Sequence, residues 1–172
     1  TLLKSAMPMN QDELTISYNT NHLFVKHGTT QMSCRLIDAR FPDYKVVIPV
    51  DNPYQLTVNK NEFQGALRRI SIFSNKSTNQ VVISITGSEL TLAAQDIDFS
   101  FEGTERMKCQ YNGEDLQIAF NAKFLIEMLN AADSEEVTID LSTPTKAGIL
   151  KPASQDEGEE LLMLVMPLML NT

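Results

Sequence analysis

Leu56-Thr57-Val58-Asn59-Lys60-Asn61-Glu62-Phe63 decides how the rest of the chain is read. Leu56 and Val58 alternate with polar neighbours, the mark of a half-buried strand. From Phe63 the period changes. Ala66, Leu67 and Ile70 recur at steps of three and four, while Arg68 and Arg69 fall off that stripe, so Asn61 to Ser74 reads as an amphipathic helix. The same order returns about sixty residues later, a spacing that signals an internal repeat. Leu116 and Ile118 mirror Leu56 and Val58, and Phe124 mirrors Phe63. Asn121 is placed to cap a second helix running to Ala132. Its stripe is Phe124, Leu125, Met128 and Leu129, with Lys123, Glu127 and Asn130 opposite.

Each unit runs strand, helix, then short strands: Gln80 to Thr86 follows the first helix and Glu136 to Ser142 the second. This order predicts an α+β fold of repeated strand–helix–strands units, with the helices on one face of antiparallel sheets. Two units make one complete domain, residues 51–172. Residues 1–50 read as the end of an earlier, similar domain plus a connector. Thr1 to Met7 reads as the tail of a helix already under way, followed by strands at Leu14–Tyr18, Leu23–Val25 and Met32–Leu36. Half a unit cannot bury its own apolar faces, so further sequence is expected ahead of Thr1. Turn residues punctuate the strands. His27-Gly28 is one turn, and Gly87-Ser88 gives a two-residue hairpin between Val81–Thr86 and Leu90–Ala94. Asn112-Gly113 separates Met107–Tyr111 from Leu116–Phe120, Pro144 separates Val137–Leu141 from Ala147–Leu150, and Leu161–Met166 closes the series. Arg40 to Pro53 carries Pro42, Pro49 and Pro53, which interrupt helix and sheet pairing and mark an interdomain connector.

Composition bounds the function. A chain of 172 residues, 42% apolar and 21% charged, is globular and needs no disulfide staples. Cys34 and Cys109 form no CxxC, so neither a zinc site nor a secreted disulfide framework is indicated, and a cytoplasmic setting is expected. The longest apolar run, Leu161 to Leu170, contains Pro167 and is about half the ~20 residues of a membrane helix. With 14 Lys plus Arg against 22 Asp plus Glu, the net charge is −8. That disfavours a protein gripping nucleic acid over its whole surface, though one basic face among acidic ones is allowed.

Catalytic and metal-binding patterns are lacking: the sequence holds no GxSxG, HExxH, P-loop or GxGxxG. His22 and His27 flank a predicted hairpin without ligand spacing and read as surface histidines. Asp96 and Asp98 read as one solvated strand face, and Asp156 to Glu160 as a charged loop. Ile72 and Phe73 exceed what one helical stripe requires and mark a candidate interface. The apolar C-terminus is unusual, since chain ends are ordinarily polar and frayed. Leu162 to Met166 is expected as a core strand, with Leu168 and Leu170 beyond Pro167 lining a methionine-rich groove suited to peptides.

Leu36-Ile37-Asp38-Ala39-Arg40-Phe41-Pro42-Asp43-Tyr44, followed far downstream by Val165-Met166-Pro167-Leu168, resembles the bacterial DNA polymerase III beta subunits, the sliding clamps. Both helices, Ser74-Asn75-Lys76 and Phe120-Asn121 fall in register with that family along the whole chain. The resemblance implies the DNA clamp fold: a homodimeric ring of three-domain subunits, with helices lining the hole and strands outside. The chain would correspond to the end of the second domain and all of the third. The resemblance implies no catalysis and no cofactor. It implies that the ring encircles duplex DNA without sequence preference and tethers the replicative polymerase, the clamp loader and repair proteins through short linear motifs.

It also implies residue roles. The partner-peptide pocket comprises Pro42, Val47, Asn121, Phe124, Thr145, Leu164, Met166, Pro167, Leu168 and Leu170. Lys4, Arg68, Arg69 and Lys123 would face DNA, and Ile72, Phe73, Asp96, Asp98 and Glu102 would meet the second subunit. Two positions depart from the family pattern: Met169 and Val46 stand where basic residues are common. The alternative reading is a peptide-binding scaffold with no DNA role.

Overall fold

The computed structural model describes residues 13–170; the expected N-terminal helix tail and Lys4 lie outside that range. The chain divides into two compact units, one ending at Asp43 and the other beginning at Tyr44, inside the proline-bearing connector. The first unit is an antiparallel meander of β1 (Leu14–Tyr18), β2 (His22–His27) and β3 (Thr30–Arg35). Gly28, at φ +56°, makes the tight turn between β2 and β3. Its histidines are not the surface pair expected: His22 stacks on Phe24 with ring centroids 5.9 Å apart, and the His27 Nε2 is buried.

The second unit has two sheets and two helices. Its elements are β4 (Tyr54–Asn59), α1 (Lys60–Ile70), β5 (Gln80–Thr86), β6 (Glu89–Asp96), β7 (Phe101–Lys108) and β8 (Gln110–Tyr111). They continue with β9 (Leu116–Asn121), α2 (Ala122–Ala131), β10 (Glu136–Leu141), β11 (Gly148–Pro152) and β12 (Met163–Val165). The five-stranded sheet has the order β12-β11-β10-β4-β8 and the four-stranded sheet the order β7-β6-β5-β9. Each strand that leads into one helix therefore pairs with the strand that leaves the other. β4 runs antiparallel to β10, with Glu136 opposite Asn59, and β9 runs antiparallel to β5, with Gln80 opposite Asn121. The helix starts repeat this exchange: Lys60 N donates to Glu135 O and Ala122 N to Asn79 O.

The repeat is real, but its register differs from the one the sequence suggests. Asn59 and Asn121 occupy equivalent positions, since each side-chain oxygen accepts a backbone N–H of the following helix. Aligned on these caps, Leu56 matches Ile118 and Phe63 matches Leu125, not Phe124. Burial agrees. Phe63 and Leu125 are both fully buried, whereas Phe124 is 57% exposed and stands off the core stripe of α2. That stripe is Ala122, Leu125 and Leu129, with Ile126 and Met128 half-buried beside it.

One core takes the inward residues of both sheets, among them Leu56, Val58, Ile83, Ile85, Ile118, Phe120 and Ile139, and the apolar faces of both helices. The expected strand Met107–Tyr111 is divided. β7 ends at Lys108, Cys109 is buried, and β8 continues in the other sheet, so the chain changes sheets there. Asp96 corrects another expectation. It is 3% exposed at the end of β6, where its Oδ1 accepts the Asp98 backbone N–H at 3.2 Å, so Asp96 and Asp98 do not form one solvated face.

Candidate functional site

The C-terminal segment builds the site. β12 is an edge strand of the five-stranded sheet; the chain then turns at Pro167, and Leu168 N donates to Ala119 O of β9 at 2.7 Å. Ala119 is thereby buried on the face of β9 opposite the core residues Ile118 and Phe120, breaking the strand's alternation. Gln80 Nε2 donates to Met169 O at 3.3 Å, further tying the tail to the four-stranded sheet.

This crossing leaves a groove of about 580 Å³ between the tail and the first turns of α2. Of the expected pocket residues, Asn121, Phe124, Leu164, Met166, Pro167 and Leu168 line it together. Glu127, Met128, Met163 and Val165 complete the lining. The helical spacing of Phe124, Glu127 and Met128 could have indicated the first two of these, because residues three and four apart share a helix face. The remaining expected residues lie elsewhere. Leu170 lines a neighbouring groove with Gln80, Val82 and Gln117; Thr145 is exposed in the β10–β11 loop; and Val47 is exposed in a 3-10 turn, Tyr44–Val47. Pro42 belongs to the unit ending at Asp43.

Asn121 has little hydrogen-bonding capacity to spare. Its Oδ1 accepts Lys123 N and Phe124 N, and its Nδ2 donates to Thr78 O at 2.9 Å. The groove is thus an apolar trough in which one polar side chain, Asn121, already serves as helix cap and loop clamp.

On the exposed surface of the helices, Asn130 Oδ1 accepts Gln64 Nε2 at 2.9 Å and an Arg68 guanidinium N–H at 3.5 Å, so the polar faces of α1 and α2 meet. Lys123 is exposed in the first turn of α2, where the helix dipole disfavours a cation, so its charge is not there to stabilise the helix. Arg69 behaves differently from Arg68. Its guanidinium binds Glu105 of β7 through two hydrogen bonds, at 3.0 and 2.5 Å. That pairing holds the Glu105 carboxyl below its ordinary value and the Arg69 guanidinium above its own, chiefly through the hydrogen bond. Because the carboxyl is depressed on folding, the pair's contribution is full above the ordinary carboxylate range and fades as pH falls below it.

The apolar pair at the end of α1 is split. Ile72 is 65% exposed, while Phe73 is half-buried and packs over Gly103, where an added Cβ would lie 2.5 Å from its ring. Asp98 and Glu102, the latter next to Gly103 in sequence, are exposed, whereas Asp96 is buried. Burial pushes the Cys109 thiol up, which disfavours its thiolate form. Among the described residues no three His, Cys, Asp or Glu side chains gather as for a metal, and no helix is long and apolar enough to cross a membrane.

Comparison with known proteins places this architecture. The beta sliding clamp of Chlamydia muridarum is 30% identical over 157 residues, covering 91% of this chain and 41% of that protein. The beta sliding clamp of Staphylococcus aureus is 28% identical over 167 residues, covering 94% of this chain and 43% of that one. Among solved structures, a DnaN sliding clamp of Bartonella birtlesii bound to griselimycin superposes with a TM-score of 0.84 at 27% identity, covering 91% of this chain and 41% of that one. The DNA polymerase III subunit beta of Pseudomonas aeruginosa gives a TM-score of 0.85 at 25% identity, with 94% and 43% coverage. The chain therefore spans about two fifths of the length of these relatives. Residues 45–167 match the family model for the DNA polymerase III beta subunit, C-terminal domain, and the chain belongs to that family.

Proposed function

We propose that this chain is the C-terminal part of a non-catalytic sliding clamp, a homodimeric cytoplasmic ring that encircles duplex DNA and holds the replicative polymerase on its template. The observation that carries the reading is the exchanged pairing of two strand–helix units, which brings the polar faces of α1 and α2 together and leaves the apolar groove beside α2. In this reading the helix surface faces the duplex, and a topological link needs only weak phosphate contacts, consistent with a net charge of −8. The groove takes an extended apolar segment from the polymerase, the clamp loader or repair proteins. Residues 1–50 form the end of the second domain with its connector, and residues 51–172 the third.

The acidic balance also fits a peptide-binding scaffold without a DNA role, and one experiment separates the two. A chain of the relatives' full length containing these residues is loaded onto nicked circular DNA, which is then linearised. A clamp stays on the circle and slides off the free ends. A scaffold never associates, and a conventional DNA binder remains on both forms.

The two arginines of α1 are expected to contribute unequally to that contact. In low-salt titrations of the chain with a labelled duplex, Arg68→Ala lowers the slope of log Kobs against log salt by about 1. Arg69→Ala changes it less, because Glu105 already neutralises that guanidinium. Equal losses would remove this assignment.

A further inference from the structure

Two polar side chains line the groove, Asn121 and Glu127, and they differ in what they can offer a ligand. Three of the four hydrogen-bonding positions of Asn121 are taken up within the chain. Glu127 has neither a hydrogen bond nor an ion pair among the described residues, and it is exposed on the groove wall one helical step from Phe124. An ionised carboxylate accepts hydrogen bonds and donates none. Among the described residues no lysine or arginine lines the groove to answer it; Lys123, one turn earlier on α2, is outside the lining and makes no salt bridge with it. The next side chain along the tail from Leu168 is apolar as well, exposed Met169. An apolar trough with a single unanswered negative charge on its wall carries a charge preference of its own.

We propose that Glu127 is a specificity-determining residue of this groove, selecting extended apolar segments that carry a lysine or arginine beside their apolar core. The proposal rests on the peptide-binding reading of the groove and adds to it the charge of the partner. A cationic flank gains a charge-assisted hydrogen bond at Glu127, whereas an acidic flank meets like-charge repulsion. Since the carboxylate is exposed, the discrimination is modest and screened by salt.

The test uses the full 172-residue chain and labelled peptides that share one apolar core and carry lysine or glutamate at each flank in turn. Affinities are read by fluorescence anisotropy at low and at physiological salt. The wild-type chain is expected to prefer the lysine peptide at one flank by about three- to fivefold at low salt, the range of an exposed ion pair. Glu127→Gln abolishes that preference, and Glu127→Lys inverts it. Circular dichroism checks that both variants keep their fold, as expected for an exposed helical position. A preference that survives in Glu127→Gln, or no preference in the wild type with binding otherwise intact, overturns the proposal and leaves the peptide groove standing. Failure of every peptide to bind the wild type overturns the groove reading itself, and this inference with it.

Discussion

Replacing Phe63 by alanine is expected to cost the unit that begins at Tyr44 about 3–5 kcal/mol, enough to consume much of the stability of a domain this size. Phe63 is fully buried on the first turn of α1, within the core shared by both sheets. Its removal forfeits the transfer free energy of a large aromatic side chain and leaves a cavity that two sheets and two helices cannot all close around. The matching change at Phe124, which sequence spacing alone makes its equivalent, is expected to cost about 0.5 kcal/mol or less, because that ring is 57% exposed. Urea unfolding followed by far-UV circular dichroism measures both, provided the transition slopes stay unchanged. Similar costs at the two positions would mean that the repeat register read from the caps is wrong. The strong stability change is instead expected at Leu125→Ala, about 2–5 kcal/mol, since Leu125 holds the place in α2 that Phe63 holds in α1.

The second large effect falls on binding. Phe124→Ala is expected to weaken capture of an extended apolar peptide at least tenfold, about 1.4 kcal/mol, with no more than the small stability cost given above. The ring stands over the groove between the cap residue Asn121 and Glu127, facing the tail from Leu164 to Leu168. An exposed aromatic anchoring an apolar trough is the kind of group on which binding energy concentrates. Fluorescence anisotropy with a labelled peptide, read beside a melting curve of the same variant, separates the two consequences. Unchanged affinity would take Phe124 out of the recognition surface. A parallel fall in stability would return it to the core.

The contrast between Phe63 and Phe124 shows how far sequence patterns reach. Strand alternation at Leu56–Val58 and Leu116–Phe120 and the helical periods after them were sufficient to identify the elements. The cap Asn121 was readable too, because an asparagine before an apolar-periodic run has a local reason to end a strand and begin a helix, whereas Asn59 was passed over in favour of a helix start at Asn61. Register between the two units was not readable. Phe124 and Leu125 are adjacent and both apolar, and which one points inward depends on the path of β9 into α2. Asp96 was misread for a related reason. Asp96-Ile97-Asp98 looks like surface alternation, but Asp96 keeps the period of β6 and falls on the inward face with Leu90, Leu92 and Ala94, while the Asp98 backbone turns back onto its carboxylate. Cys109 marks a third such place, where the chain changes sheets inside one continuous apolar–polar alternation.

The groove follows the same division. Asn121, Phe124, Leu164, Met166, Pro167 and Leu168 were named through the family resemblance and Glu127 lies within reach of helical spacing, yet Met163 joins the lining only because α2 and β12 face each other. Leu170 was grouped with Leu168 because the two are neighbours in an apolar tail. The hydrogen bond from Leu168 to Ala119 and the one from Gln80 to Met169 carry the tail onto the other sheet, and Leu170 goes with it. Arg68 and Arg69 likewise look alike as adjacent charges, and the edge strand β7 makes them different by supplying Glu105 to one of them.

By itself the sequence determined what depends on neighbours along the chain: periodicity, capping, turns and the presence of a repeat. Tertiary structure decided which equivalent residue is buried, which charge is already neutralised and which apolar side chains share a groove. Those outcomes depend on contacts between segments far apart in sequence, where packing density and hydrogen-bond satisfaction choose among arrangements that local pattern leaves equal.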